Sequence, residues 1–207
     1  QKKDQGYLEY ILESKKQETD NEIEKVFFRY LEKQQRNFAL DFDDLINFTL
    51  YIYRKHNDVL EKWQKRLHYI QVDEMQDSSE KQFALVSQLS NHHKNFFVVG
   101  DPDQTIYEWR GARPEFLVDF DKLFNDSKTI IMNQNYRSTP NILSLGNHII
   151  KNNKIRVDKD MFTQNPEGVE VVHFHGKNDF DEGLWVANEI KRLIADENCK
   201  HSDFAIL

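Results

Sequence analysis

The chain has 207 residues, of which 39% are hydrophobic and 30% charged, enough for one main domain with an appendage. Its 35 acidic and 28 basic residues exclude a binder of nucleic acid through bulk positive charge, so DNA binding would need local residues. A single cysteine, Cys199, excludes an internal disulfide, and the short apolar runs exclude a membrane partner, so a cytoplasmic protein is expected.

The first quarter of the chain is predicted to be helical. Residues 1–40 contain no proline and one glycine, and their apolar residues follow the helical period. A second helix is predicted to begin after Asp41 or Asp43 and to run towards Trp63. From Leu67, short apolar runs alternate with helical stretches, a pattern typical of a parallel α/β sheet.

Three strand–helix units are predicted from Leu67 onwards. Ser79 and Gln82 have the spacing of a capping box, which predicts the start of the first helix. Proline suits the first position of a helix and predicts the other two starts, the last one after a Thr139 cap. The strands are 67–72, 96–99 and 129–132, and the helices begin near Ser79, Pro114 and Pro140.

The last quarter of the chain is predicted to leave this domain. Residues 151–168 are polar and indicate a linker. A strand at 169–174, a helix at about 181–195 and a strand from Phe204 are predicted to follow. Because the chain stops within that last strand, we expect these elements to be the start of a second domain.

Three unusual clusters follow the three predicted strands. Ligands of an open parallel sheet bind beyond the carboxyl ends of its strands, where these clusters are expected to lie. The first cluster, residues 73–77, reads Asp-Glu-Met-Gln-Asp. One of its acids can hold a magnesium ion on phosphates while its neighbour deprotonates an attacking water. A solvated acidic turn is the alternative.

The second cluster covers residues 99–112. Gln104 offers an amide that can sense a phosphate or a water. Tyr107, Trp109 and Arg110 form a candidate platform for unpaired bases, on which stacking contributes about 1–3 kcal/mol per base. Aromatic residues of the core are the alternative, but the flanking charges of Glu108 and Arg110 favour partial exposure.

The third cluster covers residues 133–138 and contains one arginine, Arg137. An arginine in this position can stabilise charge on a γ-phosphate, an effect of about 10³- to 10⁵-fold on rate. An ordinary arginine in a helix-capping loop is the alternative.

Together the clusters resemble the motifs of one family, the UvrD/Rep/PcrA-type helicases of superfamily one. Residues 73–77 resemble its Asp-Glu-x-Gln-Asp form of Walker B, 100–112 its third motif and 134–138 its fourth. Residues 41–46 resemble a segment that precedes Walker B in the family. The resemblance is strong over about residues 38–150.

The resemblance implies ATP and Mg²⁺ as cofactors, and single-stranded and duplex DNA as partners beside other helicase domains of the same chain. It also implies an enzyme that uses ATP hydrolysis to move 3′ to 5′ on single-stranded DNA and to unwind duplex. The implied residues are Asp73 for Mg²⁺, Glu74 as the general base, Gln104 and Arg137 for the γ-phosphate, Tyr136 for the adenine, and Tyr107, Trp109 and Arg110 for single-stranded DNA.

The implied fold is α/β and contains part of a RecA-like parallel sheet of the P-loop NTPase class. Residues 1–40 would belong to a helical insertion and 41–151 to the C-terminal part of the first motor domain. Residues 152–207 would be a linker and the beginning of a second RecA-like motor domain.

The sequence departs from the family pattern in its glycines. None of the seven lies in a Gly-x-x-x-x-Gly-Lys-Ser/Thr arrangement, so the loop that cradles phosphates is absent from these residues. We therefore expect an internal fragment that is inactive alone. A non-catalytic DNA-binding or regulatory module and the motor subunit of a helicase–nuclease stay as alternatives, although intact Asp73, Glu74, Gln104 and Arg137 argue against the former.

Overall fold

A computed structural model of the protein describes residues 20–207. Within that range the chain forms eight α-helices and four short strands, joined by loops and single-turn 3₁₀ helices. The helices are α1 (Glu22–Arg36), α2 (Phe42–Lys55), α3 (Asn57–Arg66), α4 (Glu80–Ser90), α5 (Glu115–Val118), α6 (Phe120–Leu123), α7 (Pro140–Ile150) and α8 (Asp179–Glu197), and the strands are β1 (Ile70–Val72), β2 (Phe96–Val98), β3 (Gln134–Asn135) and β4 (Phe162–Thr163).

The described chain divides into two compact units. The first unit extends to Ile131 and also includes Asn152–Lys159, and the second consists of Met132–Lys151 and Asp160–Leu207. The predicted division into 1–40, 41–151 and 152–207 stays a prediction. No described helix combines the length and the apolar character that crossing a bilayer requires.

The first three helices begin where side chains cap them. The predicted helical character of residues 1–40 is confirmed over α1, whereas residues 1–19 lie outside the described part of the chain. Asp41 and Asp44 form a capping box at the start of α2, which confirms the predicted start. The single helix predicted towards Trp63 is wrong, because His56 leaves the helical conformation between α2 and α3 without any proline or glycine to mark the break.

The core of the first unit forms around a short parallel sheet. β1 pairs with β2 in parallel, with Ile70 opposite Phe96. Helix α4 begins at the predicted capping box of Ser79 and Gln82, which is confirmed. Aromatic rings then pack between α4, α5, α6 and β2. Aromatic pairs at these separations contribute to stability beyond the area that they bury. The rings are Phe83, Phe96, Phe116, Phe120 and Phe124, with centroids 4.2–6.3 Å apart.

The second unit contains the other parallel pair. Gln134 of β3 lies opposite Phe162 of β4, and α7 packs beside them. Asn147 of α7 donates to the carbonyl of Met161 at 2.8 Å and accepts from its N–H at 3.0 Å, which fixes the approach to β4. The predicted start of α7 at Pro140 is confirmed, but the Thr139 side chain makes no capping hydrogen bond. The helix predicted at 181–195 is confirmed as α8.

Several predicted strands and one predicted helix are wrong. No strand forms at residues 129–132, at 169–174 or from Phe204 onwards. The observed β3 and β4 lie at other positions, and β4 lies inside the predicted linker. Apolar β-branched runs favour extended backbone, but a strand also needs a hydrogen-bonding neighbour, and none of the described strands lies beside these runs. The helix predicted from Pro114 is two short helices, because Asp119 interrupts it. The parallel α/β character is therefore confirmed in two small sheets.

Candidate functional site

The acidic cluster lies directly after β1 in the first unit. The side chains of Asp73 and Glu74 are both exposed, and the Asp73 carboxylate accepts the Glu74 N–H at 2.9 Å. Glu74 has a left-handed backbone, with φ 50° and ψ 43°. Such a conformation costs a non-glycine residue about 1–3 kcal/mol and is found at functional sites. The buried Met75, whose N–H donates to the carbonyl of Val99 at 3.0 Å, anchors the turn beneath them.

A buried amide joins this turn to the loop after β2. Gln76 is 1% exposed, and its Nε2 donates to the Glu74 carboxylate at 2.7 Å. Its Oε1 accepts the N–H of Asp101 at 3.0 Å. A Cβ at Gly100 would overlap that oxygen, so glycine is required for the close approach. Gln76 is a functional candidate that the sequence analysis missed; the available signal was an amide among carboxylates, able to donate and accept at once.

The loop after β2 begins with a fixed carboxylate. The Oδ2 of Asp101 accepts from the Nε2 of Gln104 at 2.9 Å, and its Oδ1 accepts from the Nζ of Lys159 at 2.7 Å. Burial raises the pKa of Asp101, but the hydrogen bonds from Lys159 and Gln104 outweigh burial and hold that pKa below its usual range. Glu74 and Gln104, both predicted from the sequence, are thus ends of one continuous chain of hydrogen bonds.

The aromatic platform, which we define as Tyr107, Trp109 and Arg110, is exposed. Trp109 is 73% exposed and Tyr107 37%, so their assignment to the core, the alternative weighed above, is wrong. Their ring centroids lie 6.4 Å apart, and the Arg110 guanidinium lies 4.5 Å from the Trp109 centroid and 5.4 Å from that of Tyr107. These separations are within the range of cation–π attraction, which holds the guanidinium over the rings.

Backbone bonds hold the platform in place. The N–H of Ala112 donates to the carbonyl of Tyr107 at 3.2 Å, and Ala112 also pairs with Ser79 at the start of α4. Gly111, which directly precedes Ala112, has φ 89°, a conformation that favours glycine. The platform is therefore attached to the helix that follows the acidic cluster.

The third cluster lies in the second unit. Tyr136 is 76% exposed, and Arg137 is also exposed. The Asn135 carboxamide oxygen accepts the N–H groups of Arg137 at 2.8 Å and of Ser138 at 2.7 Å, which fixes the turn that presents them. The first unit places Asp73 beside Glu74 and links Glu74 to Gln104 through Gln76 and Asp101. The approach of Tyr136 and Arg137 to these residues stays a prediction.

Two families match successive parts of the chain. Residues 1–125 match the UvrD/REP helicase N-terminal domain, and residues 130–207 match the UvrD-like helicase C-terminal domain. The first match alone covers more than half of the chain.

Relatives with assigned names agree with this match. The chain is 42% identical to the ATP-dependent DNA helicase PcrA of Bacillus subtilis over 188 residues, which are 91% of this chain and 25% of that protein. It is 37% identical to PcrA of Leuconostoc citreum over 89% of this chain and 25% of that protein. A probable DNA helicase II homolog of Mycoplasma capricolum subsp. capricolum is 42% identical over 77% of this chain and 22% of its own length.

The chain thus spans about a quarter of the length of the curated relatives that it matches. The acidic cluster, Gln104 and the aromatic platform lie within the residues matched to the N-terminal domain. Tyr136 and Arg137 lie within the residues matched to the C-terminal domain. The chain belongs to the UvrD/REP helicase family.

Proposed function

We propose that this chain is part of an ATP-dependent DNA helicase that moves 3′ to 5′ on single-stranded DNA and separates duplex strands. The observation that carries the proposal is the chain of hydrogen bonds from Glu74 through Gln76 and Asp101 to Gln104. It connects a candidate base with a candidate phosphate sensor. A DNA-binding module without catalysis has no need of that connection, which favours the enzyme over this alternative.

Glu74 is the proposed general base. Its carboxylate is exposed, and the buried Gln76 amide orients it from below. A base held in this way can take a proton from a water at the end of β1, a contribution of about 10²- to 10⁴-fold in enzymes. The left-handed backbone of Glu74 supports this role, because non-glycine residues held in this costly conformation cluster at functional sites.

Asp73 is the proposed ligand of Mg²⁺. No group of three or more His, Cys, Asp or Glu residues in the described part of the chain could enclose a metal ion. Magnesium needs no such cage, since it is usually held by one or two carboxylates together with waters and substrate phosphates. The exposed carboxylate of Asp73 fits that arrangement. Bound Mg-ATP would supply the phosphoryl group that the water attacks.

Gln104 and Arg137 are the proposed contacts to the γ-phosphate, and Tyr136 would stack on the adenine. One N–H of the Gln104 amide is used by Asp101, which leaves the other N–H and the oxygen for a phosphate or a water. Arg137 and Tyr136 are exposed on a turn that Asn135 holds rigid, which supports a ligand-binding role. Arg137 would neutralise charge that develops during phosphoryl transfer.

We further propose that the parent protein has two RecA-like motor domains, with residues 1–40 in a helical insertion and 152–207 leading into the second domain. This division differs from the two compact units at residues 132–151, which lie in the second unit, and at residues 152–159, which lie in the first. The phosphate-binding loop would come from outside these 207 residues, so the isolated chain is expected not to hydrolyse ATP.

Binding of single-stranded DNA by the isolated chain tests the proposal. Fluorescence anisotropy of a labelled oligonucleotide should report binding that Mg-ATP does not alter and that Trp109→Ala abolishes, because stacking contributes about 1–3 kcal/mol per base. Tyr69→Ala is the matched control, since Tyr69 is an equally exposed aromatic at 75% and lies outside the platform. Equal binding by the wild type and Trp109→Ala would remove the support for the platform.

A further inference from the structure

The segment Asn152–Lys159 packs on the loop that carries Gln104. It belongs to the first unit, although the residues on both sides of it along the chain belong to the second. The Nζ of Lys159 donates to the Asp101 Oδ1 at 2.7 Å and to the Asp103 Oδ2 at 3.2 Å. Asn153 donates to the other oxygen of Asp103 at 3.3 Å. One segment thus meets both carboxylates of the loop.

These contacts differ from the other ion pairs of the described residues. Several of those join exposed side chains only three or four positions apart in sequence, where an ion pair contributes little. Here the side chains of Lys159, Asp101 and Asp103 are only 12%, 26% and 5% exposed, and 58 residues separate Lys159 from Asp101. Partial burial reduces screening by solvent, so this lysine can fix the carboxylates.

Arg156 orders the segment that presents Lys159. Its guanidinium donates to the carbonyl of Lys159 at 3.0 Å and lies 3.9 Å from the Asp103 carboxylate. Its side chain is 12% exposed. The hydrogen bond from Arg156 to the carbonyl of Lys159 therefore closes the turn 156–159 and limits the positions that the Lys159 ammonium can take.

We propose that Lys159 is a positioning residue for Gln104: it fixes the Asp101 carboxylate whose second oxygen holds the Gln104 amide. The inference rests on the proposed role of Gln104 at the γ-phosphate. The N–H of Asp101 also donates to Gln76. Lys159 therefore fixes the residue through which the hydrogen bonds from Glu74 and Gln76 are connected to Gln104.

The side-chain amide of Gln104 gives the first test, which needs no nucleotide. In ¹⁵N-labelled protein, Lys159→Ala should shift the Gln104 carboxamide resonances and increase the mobility of this side chain. The Gln82 carboxamide, held by Ser79 in the α4 capping box, should not change. Lys154→Ala, which removes an exposed lysine from the same segment, should leave both amides unchanged. An unaltered Gln104 signal in a folded Lys159→Ala protein would overturn the proposal.

The second test uses the full-length helicase and separates positioning from mere structural support. Lys159→Ala should lower kcat for DNA-stimulated ATP hydrolysis by about ten- to a hundredfold, with a smaller change in KM. Lys159→Arg should restore most of the rate. In a Gln104→Ala background, Lys159→Ala should have no further effect, because the group that it positions is gone.

Other outcomes would overturn the proposal at different points. If Lys159→Ala lowers kcat by the same factor with and without Gln104, the lysine supports the fold only. If Gln104→Ala lowers kcat and Lys159→Ala does not, the proposed function stands and the inference about Lys159 fails. If Gln104→Ala itself leaves kcat unchanged, the proposed role of Gln104 fails and the inference fails with it.

Discussion

The loop after β2 has two halves that are held in different ways. In the first half, the partly buried Asp101 and Asp103 are bonded to Lys159, and Asp101 fixes the Gln104 amide. In the second half, Trp109 stays 73% exposed. A group that stabilises charge must be fixed in advance, because its dipoles then need no reorganisation during reaction. A surface that stacks on any base must instead stay open to solvent.

The short distance along the chain between the two halves matters for the proposed motor. Only Thr105 and Ile106 separate Gln104 from the platform. The Thr105 hydroxyl donates to the carbonyl of Pro102 at 3.0 Å, which continues the fixed half up to that point. In the proposed function, a displacement of Gln104 on nucleotide hydrolysis would reach Tyr107 through two residues. Because the two halves are held differently, we expect substitutions in the first half to alter ATP hydrolysis and substitutions in the second half to alter DNA binding.

The largest effect is expected from Glu74→Gln in the full-length helicase. The substitution removes the proposed base, so kcat for ATP hydrolysis should fall by about 10²- to 10⁴-fold. The platform is untouched, so the affinity for single-stranded DNA, measured by anisotropy, should stay at the wild-type value. Glu80→Gln, which changes an exposed carboxylate at the start of α4, is the control and should keep full activity. Parallel loss of hydrolysis and DNA affinity would contradict the separation of the two halves.

Gly100→Ala should disturb the fixed half of the loop and the turn that contacts it. The new Cβ would overlap the Gln76 oxygen and approach the Met75 nitrogen at 3.0 Å, so this well-packed turn must shift. Overpacking of this kind costs about 1–3 kcal/mol of the free energy of unfolding, which urea denaturation of the chain can measure.

Gly146→Ala is the matched control for that substitution. Gly146 lies inside α7, and no atom lies within 4 Å of a Cβ built there. Alanine is favoured over glycine within a helix by about 0.5–1 kcal/mol, so this variant should be slightly more stable than the wild type. If Gly100→Ala is as stable as the wild type, the close approach between Gly100 and Gln76 is not a constraint on the fold.

Local chemistry decides which elements could be predicted from the sequence. The starts of α2, α4 and α7 depend on Asp41, on Ser79 with Gln82, and on Pro140, all of which act within one helical turn. The strands predicted at 129–132 and 169–174 depended on partners that apolar runs do not specify. Propensity alone therefore predicted more sheet than the described residues form.

The candidate site divides in the same way. Asp73, Glu74, Gln104 and Trp109 stand in recognisable motifs, whereas the roles of Gln76 and Lys159 arise from contacts made across 25 and 58 residues of sequence. No periodicity or spacing encodes such a contact, because it depends on how β1, β2 and the segment 152–159 come together. The groups that hold the motif side chains in place could therefore be found only in the folded chain.

The smallest effect is expected from acid. The pKa of Asp101 is lowered in the folded protein, so the folded state binds fewer protons at this group than the unfolded state does. The stability that Asp101 contributes is therefore present above its unfolded pKa of about 3.9 and is lost as the pH falls towards its folded pKa. Asp101→Asn should reduce stability by less than about 1 kcal/mol at pH 7, as expected for an ion pair with some exposure. The difference should shrink as the pH falls below about 4. Urea unfolding from pH 7 to pH 3 measures it, with Asp126→Asn as the control for the loss of one exposed carboxylate. A difference that stays constant over this range would mean that the Lys159–Asp101 pair does not stabilise the fixed half of the loop.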